Sequence, residues 1–394
     1  MKVCVASAGR FHAFDLARQM ERLGHLTRLY TAYPAFKVDG LPRAKVSTYP
    51  WLMGATHVLG KLRLAGLRDR MNLATIEAFD RWMADRVVPC EVFHCLSSFG
   101  IRSHRAAHDR FGALTVCDRG SSHIVYQNEI LREEYARVGI PFRATEPRLI
   151  ERELADYEFC DLISVPSGFA MRSFVECGVP ATKLRLNPYG VDLSIFHPMP
   201  KRDAVFRVLF VGTSSVQKGI HYLLEAVTKS RIPNQETWLI GSVDTEIRPF
   251  LVRYRDHFRH LGVIPRYRLS EFYSQASVLV LPSVQDGLAL VQAQAMACGV
   301  PVIATTNTGA EDLFTDGVEG FIVPIRDPAA IAEKLVYLRE NPAAREAMGR
   351  AALARVQSLG GWDSYGDRMT ACYETARQIP PADPVAAKGG LRSA

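Results

Sequence analysis

Residues 277–306, SVLVLPSVQDGLALVQAQAMACGVPVIATT, decide the architecture. The apolar run SVLVLPS ends at Pro282–Ser283, VQDG (284–287) supplies a turn, and about ten helix-forming residues follow. Gly299 stops that helix by accepting a left-handed conformation, with Pro301 behind it, and PVIATT opens a second run. Neither run alternates with polar residues, as expected of strands covered on both faces. Two such strands joined by a helix make a βαβ unit of a parallel sheet. Asp286, at the mouth of the helix, reads by default as a cap. Gln294 lies eight residues further on, roughly 12 Å along an ideal helix. The two side chains therefore reach opposite ends of an extended ligand and not one small group.

The same grammar extends in both directions. Downstream of a proline- and charge-rich break, GVDLSIFHPMPKRDA (190–204), the strand-like runs are RVLFVG, TWLIGS, RHLGV, SVLVLPS, PVIATT and EGFIVP, separated by helical segments. Upstream, KVCVAS leads into the turn AGRFH and a helix, and EVFHCLSS, ALTVCDRGSSH and LISVPS continue the series. An α/β chain of this kind, with a break near its middle, implies two sheet domains facing across a cleft. In such sheets ligands bind beyond the carboxyl ends of the strands. The last helical segment is WDSYGDRMTACYETARQ, and PPADPVAAKGGLRSA reads as a disordered tail.

Composition narrows the function. The 394 residues exceed one ordinary core, and 48% hydrophobic with 23% charged residues is a globular balance. No apolar run reaches the roughly 20 residues needed to cross a bilayer. The short apolar N-terminus is broken by Arg10, His12 and Asp15, so it reads as a buried strand and not as a leader. Eight cysteines without a C-x-x-C or a Cys/His cluster in sequence argue against zinc and against a disulfide framework, and predict a cytoplasmic protein. The net charge of +7 is compatible with phosphorylated substrates or an anionic membrane surface. No nucleic-acid-binding pattern accompanies it. Lys61, Arg63, Arg68 and Arg70 lie among apolar residues in 51–70. That segment is either an ordinary amphipathic insert or a peripheral contact with the inner face of the cytoplasmic membrane.

Two further stretches could carry chemistry. In FVGTSSVQKGIHYLLEAV (210–227), a strand ends at Gly212 and Lys218–Gly219 opens a helix. Amides at a helix start attract anions, and a lysine there suits a phosphate, although a solvated loop lysine has the same pattern. In CDRGSSH (117–123), Arg119 and His123 follow a central strand.

The succession glycine–loop–Lys–Gly, then LPS–acid–Gly–helix–CGVP, then TGAED and DGVEGFIVP, resembles the donor-binding domain of glycosyltransferase family 4, retaining enzymes of the GT-B fold. The segment 160–198 is similar to the approach to that family's Asn-Gly-Val-Asp-x-x-x-Phe-x-Pro hinge. Asn187, Gly190, Val191, Asp192, Phe196 and Pro198 match, with Pro188–Tyr189 inserted.

The resemblance implies specific roles. Lys218 stands where the family's lysine binds the donor diphosphate. Thr213 replaces a frequent arginine after Gly212, leaving the phosphates to Lys218, to the hydroxyls of Thr213, Ser214 and Ser215, and to backbone amides. Asp286 and Gln294 occupy the two acid positions of the Glu-(seven residues)-Glu motif. The first faces the donor sugar and the second the ribose. Gly287, Leu288 and Ala289 line the donor turn, and the amides of Leu290 and Val291 meet the distal phosphate. Gly9 lets the first-domain backbone approach the phosphates, and Arg10 supplies charge there or is simply an exposed turn residue. Of Arg119 and His123, His123 is the preferred partner of the transferred sugar, against the alternative of a capping or core histidine.

Together these imply two Rossmann-like domains. An acceptor-binding domain spans 1–192 and a nucleotide-sugar-binding domain 193–365. A helix over 366–380 packs back on the first domain, and a tail covers 381–394. The implied catalytic set is Asp286, His123 and Lys218, with no metal and no cofactor beyond the UDP- or GDP-sugar co-substrate. The implied acceptor is a glycan or a lipid-linked molecule of bacterial surface synthesis. A non-catalytic nucleotide-sugar-binding or scaffold protein of the same fold is the rival.

Overall fold

The computed structural model describes residues 1–49 and 65–378, with side chains omitted for 65–71. The side chains of the basic segment 51–70 and the tail 381–394 therefore lie outside the described residues. Seven parallel strands form the first sheet: β1 (Val3–Ser7), β2 (Leu26–Thr31), β3 (Val46–Thr48), β4 (Val92–Leu96), β5 (Leu114–Asp118), β6 (Leu162–Val165) and β7 (Leu184–Leu186). Their order is β3-β2-β1-β4-β5-β6-β7. Six strands form the second sheet: β8 (Arg207–Val211), β9 (Glu236–Ile240), β10 (Arg259–Gly262), β11 (Val278–Leu281), β12 (Val302–Thr305) and β13 (Gly320–Val323). Their order is β10-β9-β8-β11-β12-β13, again parallel.

Both orders reverse direction beside the first strand, β1 in one sheet and β8 in the other. The crevice at such a switch point is where these sheets bind ligands. The central strands β1, β4, β8, β11 and β12 are buried along their whole length, which their unbroken apolar runs require. β2, β3 and β7 lie outside the strand-like runs visible in the sequence. The edge strands β3 and β7 are three residues each and largely half-buried, too short for a periodic signal.

The C-terminal helix, Gly361–Gln378, returns to the first sheet as expected. Because it begins at Gly361, the division placed between 365 and 366 falls inside one helix. Arg22 on the helix His12–Arg22 binds Asp367 at 2.6 Å, and Tyr373 reaches His94 on β4. The linking segment is held in the same place. Asn187 donates to the Tyr365 carbonyl at 3.3 Å and accepts from Arg368 at 3.0 Å. Gly190 passes so close to Gly361–Trp362 that a Cβ would lie 2.3 Å from their backbone, so only glycine fits.

Candidate active site

Gly219 makes the second-domain half of the site possible. Its φ is +64° and a Cβ there would lie 2.0 Å from the Pro282 carbonyl oxygen. The loop after β8 thus rests directly on the turn after β11, with Lys218 beside Asp286. Their ammonium and carboxylate form an ion pair, both partly exposed. The Ser215 hydroxyl accepts from the Lys218 amide at 3.2 Å, Ser214 donates its amide to the Ser242 carbonyl at 2.8 Å, and Thr213 shares a 2.9 Å hydroxyl contact with Ser242. Gly212, at φ +148°, provides the bend out of β8.

Asp286 is not the cap of the helix that follows. That helix spans Leu290–Ala297, its N-cap is Ala289, and no side chain caps it. Leu288 and Ala289 remain in the turn, so the helix starts two residues later than the sequence run suggests. Asp286 is held in the turn instead, its amide on the Asn307 carbonyl at 2.9 Å and its carboxylate accepting from Gly287 N at 3.1 Å. The amides of Leu290 and Val291 belong to a helix start, where no intrahelical acceptor is available. Gln294 is buried, and its carbonyl accepts from the Tyr273 hydroxyl at 2.9 Å, which leaves the amide nitrogen for the cleft.

Opposite stands the turn after β1. The Ser7 hydroxyl closes it on the Gly9 carbonyl at 2.9 Å. Arg10 is 45% exposed and pairs with Asp39 at 3.0 Å. His12, the first residue of its helix, meets the Asp118 carboxylate at 2.6 Å and stacks on Tyr189 at a 4.4 Å centroid distance. Asp118 ends β5 and is 2% exposed. Burial works to raise its pKa, but His12, by charge and hydrogen bond, and then His94 reverse this and hold the carboxyl well below its usual range. Burial raises the Tyr189 phenol, with the charges of Asp118 and Asp286 adding to it.

A cavity of about 1300 Å³ separates the two halves. Arg10, His12 and Gln19 line one wall, Leu290, Gln294, Arg266 and Tyr267 the other, and Gly190–Asp192 and Trp362 the base. Of the candidate donor-binding residues read from sequence, Arg10, Leu290 and Gln294 line it, while Lys218 and Asp286 lie beyond its lining.

Two of the candidate site residues take other places. His123 is 3% exposed and caps the helix Ile124–Arg137, its Nδ1 accepting from Val125 N at 3.3 Å. It packs edge-on against Phe174, and burial, with Arg119 second, pushes its pKa down to about 4. Arg119 turns inward to Glu153 at 3.0 Å and Gln127 at 2.6 Å. Neither His123 nor Arg119 lines the cavity. His12, Asp118 and Tyr189 are not among the candidate site residues read from sequence. Two of them carried a signal in their position, immediately after β1 and at the end of β5.

The domains meet around the same loops. Gln285 donates to Ser121 at 2.7 Å and Ser122 at 2.9 Å, and Ser167 donates to the Gly287 carbonyl at 2.6 Å. A Cβ on Gly287 would lie 2.1 Å from the Gly120 carbonyl. At a second contact the buried Glu134 accepts from His221 at 3.0 Å, Tyr222 at 2.7 Å and Arg326 at 2.6 Å. Among the described residues, a grouping of metal-ligating type is His104, Asp156 and Cys160. It is fully buried away from the cavity, and both ring nitrogens of His104 are engaged, by Asp156 at 2.8 Å and the Val116 carbonyl at 3.2 Å.

Residues 205–341 match the family described as Glycosyl transferases group 1. A D-inositol 3-phosphate glycosyltransferase of Kribbella flavida is 30% identical over 228 residues, 52% of this chain and 53% of that protein. The match thus spans about half the length of the curated relative. Sucrose-phosphate synthase from Thermosynechococcus elongatus has the same fold, with a TM-score of 0.72 at 20% identity over 96% of this chain and 99% of that one. Anabaena HepE, solved in complex with UDP-glucose, gives 0.69 at 16% identity over 95% and 100%. The 205–341 region is accordingly a group 1 glycosyl transferase domain, carried within a two-domain chain of the GT-B fold.

Proposed function

We propose that the chain is a retaining glycosyltransferase that moves a sugar from a UDP- or GDP-linked donor to a hydroxyl of a glycan or lipid-linked acceptor in bacterial surface polysaccharide or glycolipid synthesis. The observation carrying this reading is the pairing of Lys218 with Asp286 in the turns before the uncapped helix start at Leu290, whose residues Leu290 and Gln294 line the same cavity as His12. HepE, solved with UDP-glucose on the same fold, supports a nucleotide-sugar donor. In this reading the diphosphate lies against Lys218 and the amides of Leu290 and Val291, which stabilise charge as it develops on the leaving group. Asp286 takes a hydroxyl of the donor sugar, and the Gln294 amide takes the ribose. His12, and not His123, faces the transferred sugar from the first domain. The bond between the sugar and the diphosphate breaks as the acceptor oxygen bonds the same face. The acceptor proton passes to the departing phosphate oxygen. In this reading the Lys218 ammonium neutralises the developing diphosphate charge, and no metal is required.

Nucleotide-diphosphate release from UDP-glucose and GDP-mannose tests this, with Lys218→Ala, Asp286→Ala and His12→Gln beside the wild type. Each variant should lose about 10²-fold or more in rate. Excess EDTA should leave the wild-type rate unchanged. Retention of wild-type rates by both Lys218→Ala and Asp286→Ala sinks the assignment.

A second reading, a nucleotide-sugar-binding protein without turnover, is favoured by Thr213, which brings no charge, and by Gln294, whose carbonyl is already engaged by Tyr273. Calorimetric titration with UDP and GDP distinguishes it, since that reading requires binding while no sugar is ever transferred.

A further inference from the structure

We infer that Tyr373, on the returning C-terminal helix, is a positioning residue for the reacting centre, acting through His94 and Asp118 on His12; this rests on the glycosyl-transfer reading above. The four side chains come from the C-terminal helix, β4, the end of β5 and the first helix. Tyr373 and His94 are fully buried. The Tyr373 hydroxyl is 2.8 Å from His94 Nδ1. His94 Nε2 is 3.0 Å from Asp118 Oδ2, off the line of a good hydrogen bond but within strong electrostatic range. The same Oδ2 is 2.6 Å from His12 Nε2.

Elementary charge rules fix the protons. A bare Nε2 lone pair on His94 would face a carboxylate at 3.0 Å, so Nε2 carries hydrogen. A neutral ring then has a lone pair on Nδ1, and the Tyr373 phenol is the donor to it. The same reasoning puts hydrogen on His12 Nε2, leaving Nδ1 as the ring nitrogen for the cavity that His12 lines. Gly120 keeps that edge open, since a Cβ there would come within 3.1 Å of His12 Cε1. His12 Nδ1 thus accepts a hydroxyl of the bound sugar. Asp118 holds the ring in that tautomer, and Tyr373 keeps His94 from turning a lone pair on Asp118. The C-terminal helix consequently contributes to the chemistry as well as to packing.

The test uses the full-length wild type, Tyr373→Phe and Asp118→Asn, with UDP-glucose and GDP-mannose as probes. Initial rates are combined with ¹⁵N NMR of histidine-labelled protein. The phenylalanine keeps the buried ring and removes one oxygen. Its kcat should fall about fivefold to tenfold, the loss of one buried hydrogen bond, with KM for the donor within about twofold of wild type. The His94 Nδ1 resonance should move in that variant, because the phenol's hydrogen bond to it is lost while Asp118 still faces Nε2–H. Asp118→Asn should lose about 10²–10⁴-fold in kcat. Wild-type kcat in Tyr373→Phe, or an unchanged His94 Nδ1 resonance, overturns the inference. So does a loss of rate that accompanies a matching loss of thermal stability. If the wild type neither binds nor turns over either donor, the glycosyl-transfer reading fails, and the NMR arm alone still decides whether Tyr373 governs His94.

Discussion

At the scale of single residues, His123 occupies the capping position that was the alternative to a sugar-binding role. His123 follows a strand in a stretch that reads as functional, yet it accepts an amide hydrogen bond and packs among aromatic rings. Its depressed pKa has a consequence for stability. The unfolded side chain titrates near 6.5, while burial, and then Arg119, push the folded one down to about 4. The folded state is the more reluctant to take the proton. This contribution is therefore complete above about pH 6.5 and is lost as the pH falls toward 4. Asparagine can cap without titrating. His123→Asn should flatten the fall in urea midpoint between about pH 7 and 4.5. It should also leave the rate at neutral pH within about twofold of wild type. A loss of rate comparable with that of His12→Gln would return His123 to the chemistry. His12 escaped attention because a histidine opening an amphipathic helix is ordinary; only the fold sets Asp118 against it.

At the scale of elements, the unbroken apolar runs translated directly into strands. A run without polar alternation has no exposed face to offer, so it must occupy the middle of a covered sheet. The edge strands β3 and β7 gave no such signal. Helix starts were legible through glycines, and Gly219 is the sharpest case. It holds φ +64° against the Pro282 carbonyl. Gly219→Ala adds a left-handed alanine, about 1–2 kcal/mol, and a steric overlap that neighbouring backbone cannot relieve. We expect a loss of more than about 2 kcal/mol in chemical denaturation, together with a weakened affinity for UDP. Unchanged stability would mean that the loop after β8 does not rest on the turn after β11. The default reading of Asp286 as a cap fails for a local reason. Sequence spacing cannot tell a capping carboxylate from one held in the preceding turn by Gly287 and Asn307.

At the scale of the whole molecule, the two domains touch through backbone at one place and through a buried ionic cluster at another. Gly287 lies against Gly120, and an added Cβ would meet its carbonyl at 2.1 Å. Gly287→Ala should fold normally, since the overlap lies between domains, but should not reach this closed arrangement. The expected result is a larger radius of gyration by small-angle scattering, with kcat reduced about tenfold or more because closure excludes water and aligns the reactants. An unchanged radius of gyration together with an unchanged kcat would refute the dependence on this contact. Glu134 holds the second place. Burial raises its pKa, but His221, Tyr222 and Arg326 outweigh it and keep the carboxyl below its usual range.

The sequence by itself determined the parallel α/β class and the two-sheet division, and it placed Lys218, Asp286 and Gln294 in turns and helices that follow strands of the second sheet, because each depends on local periodicity or on spacing within one strand–turn–helix unit. Only the tertiary structure decided which first-domain residues face them. His12, Asp118, His94 and Tyr373 are separated by tens to hundreds of residues, and their mutual distances follow from strand order and from the return of the last helix. No local pattern encodes a contact made by chain closure, so the cleft's second wall became legible only once the sheets were assembled.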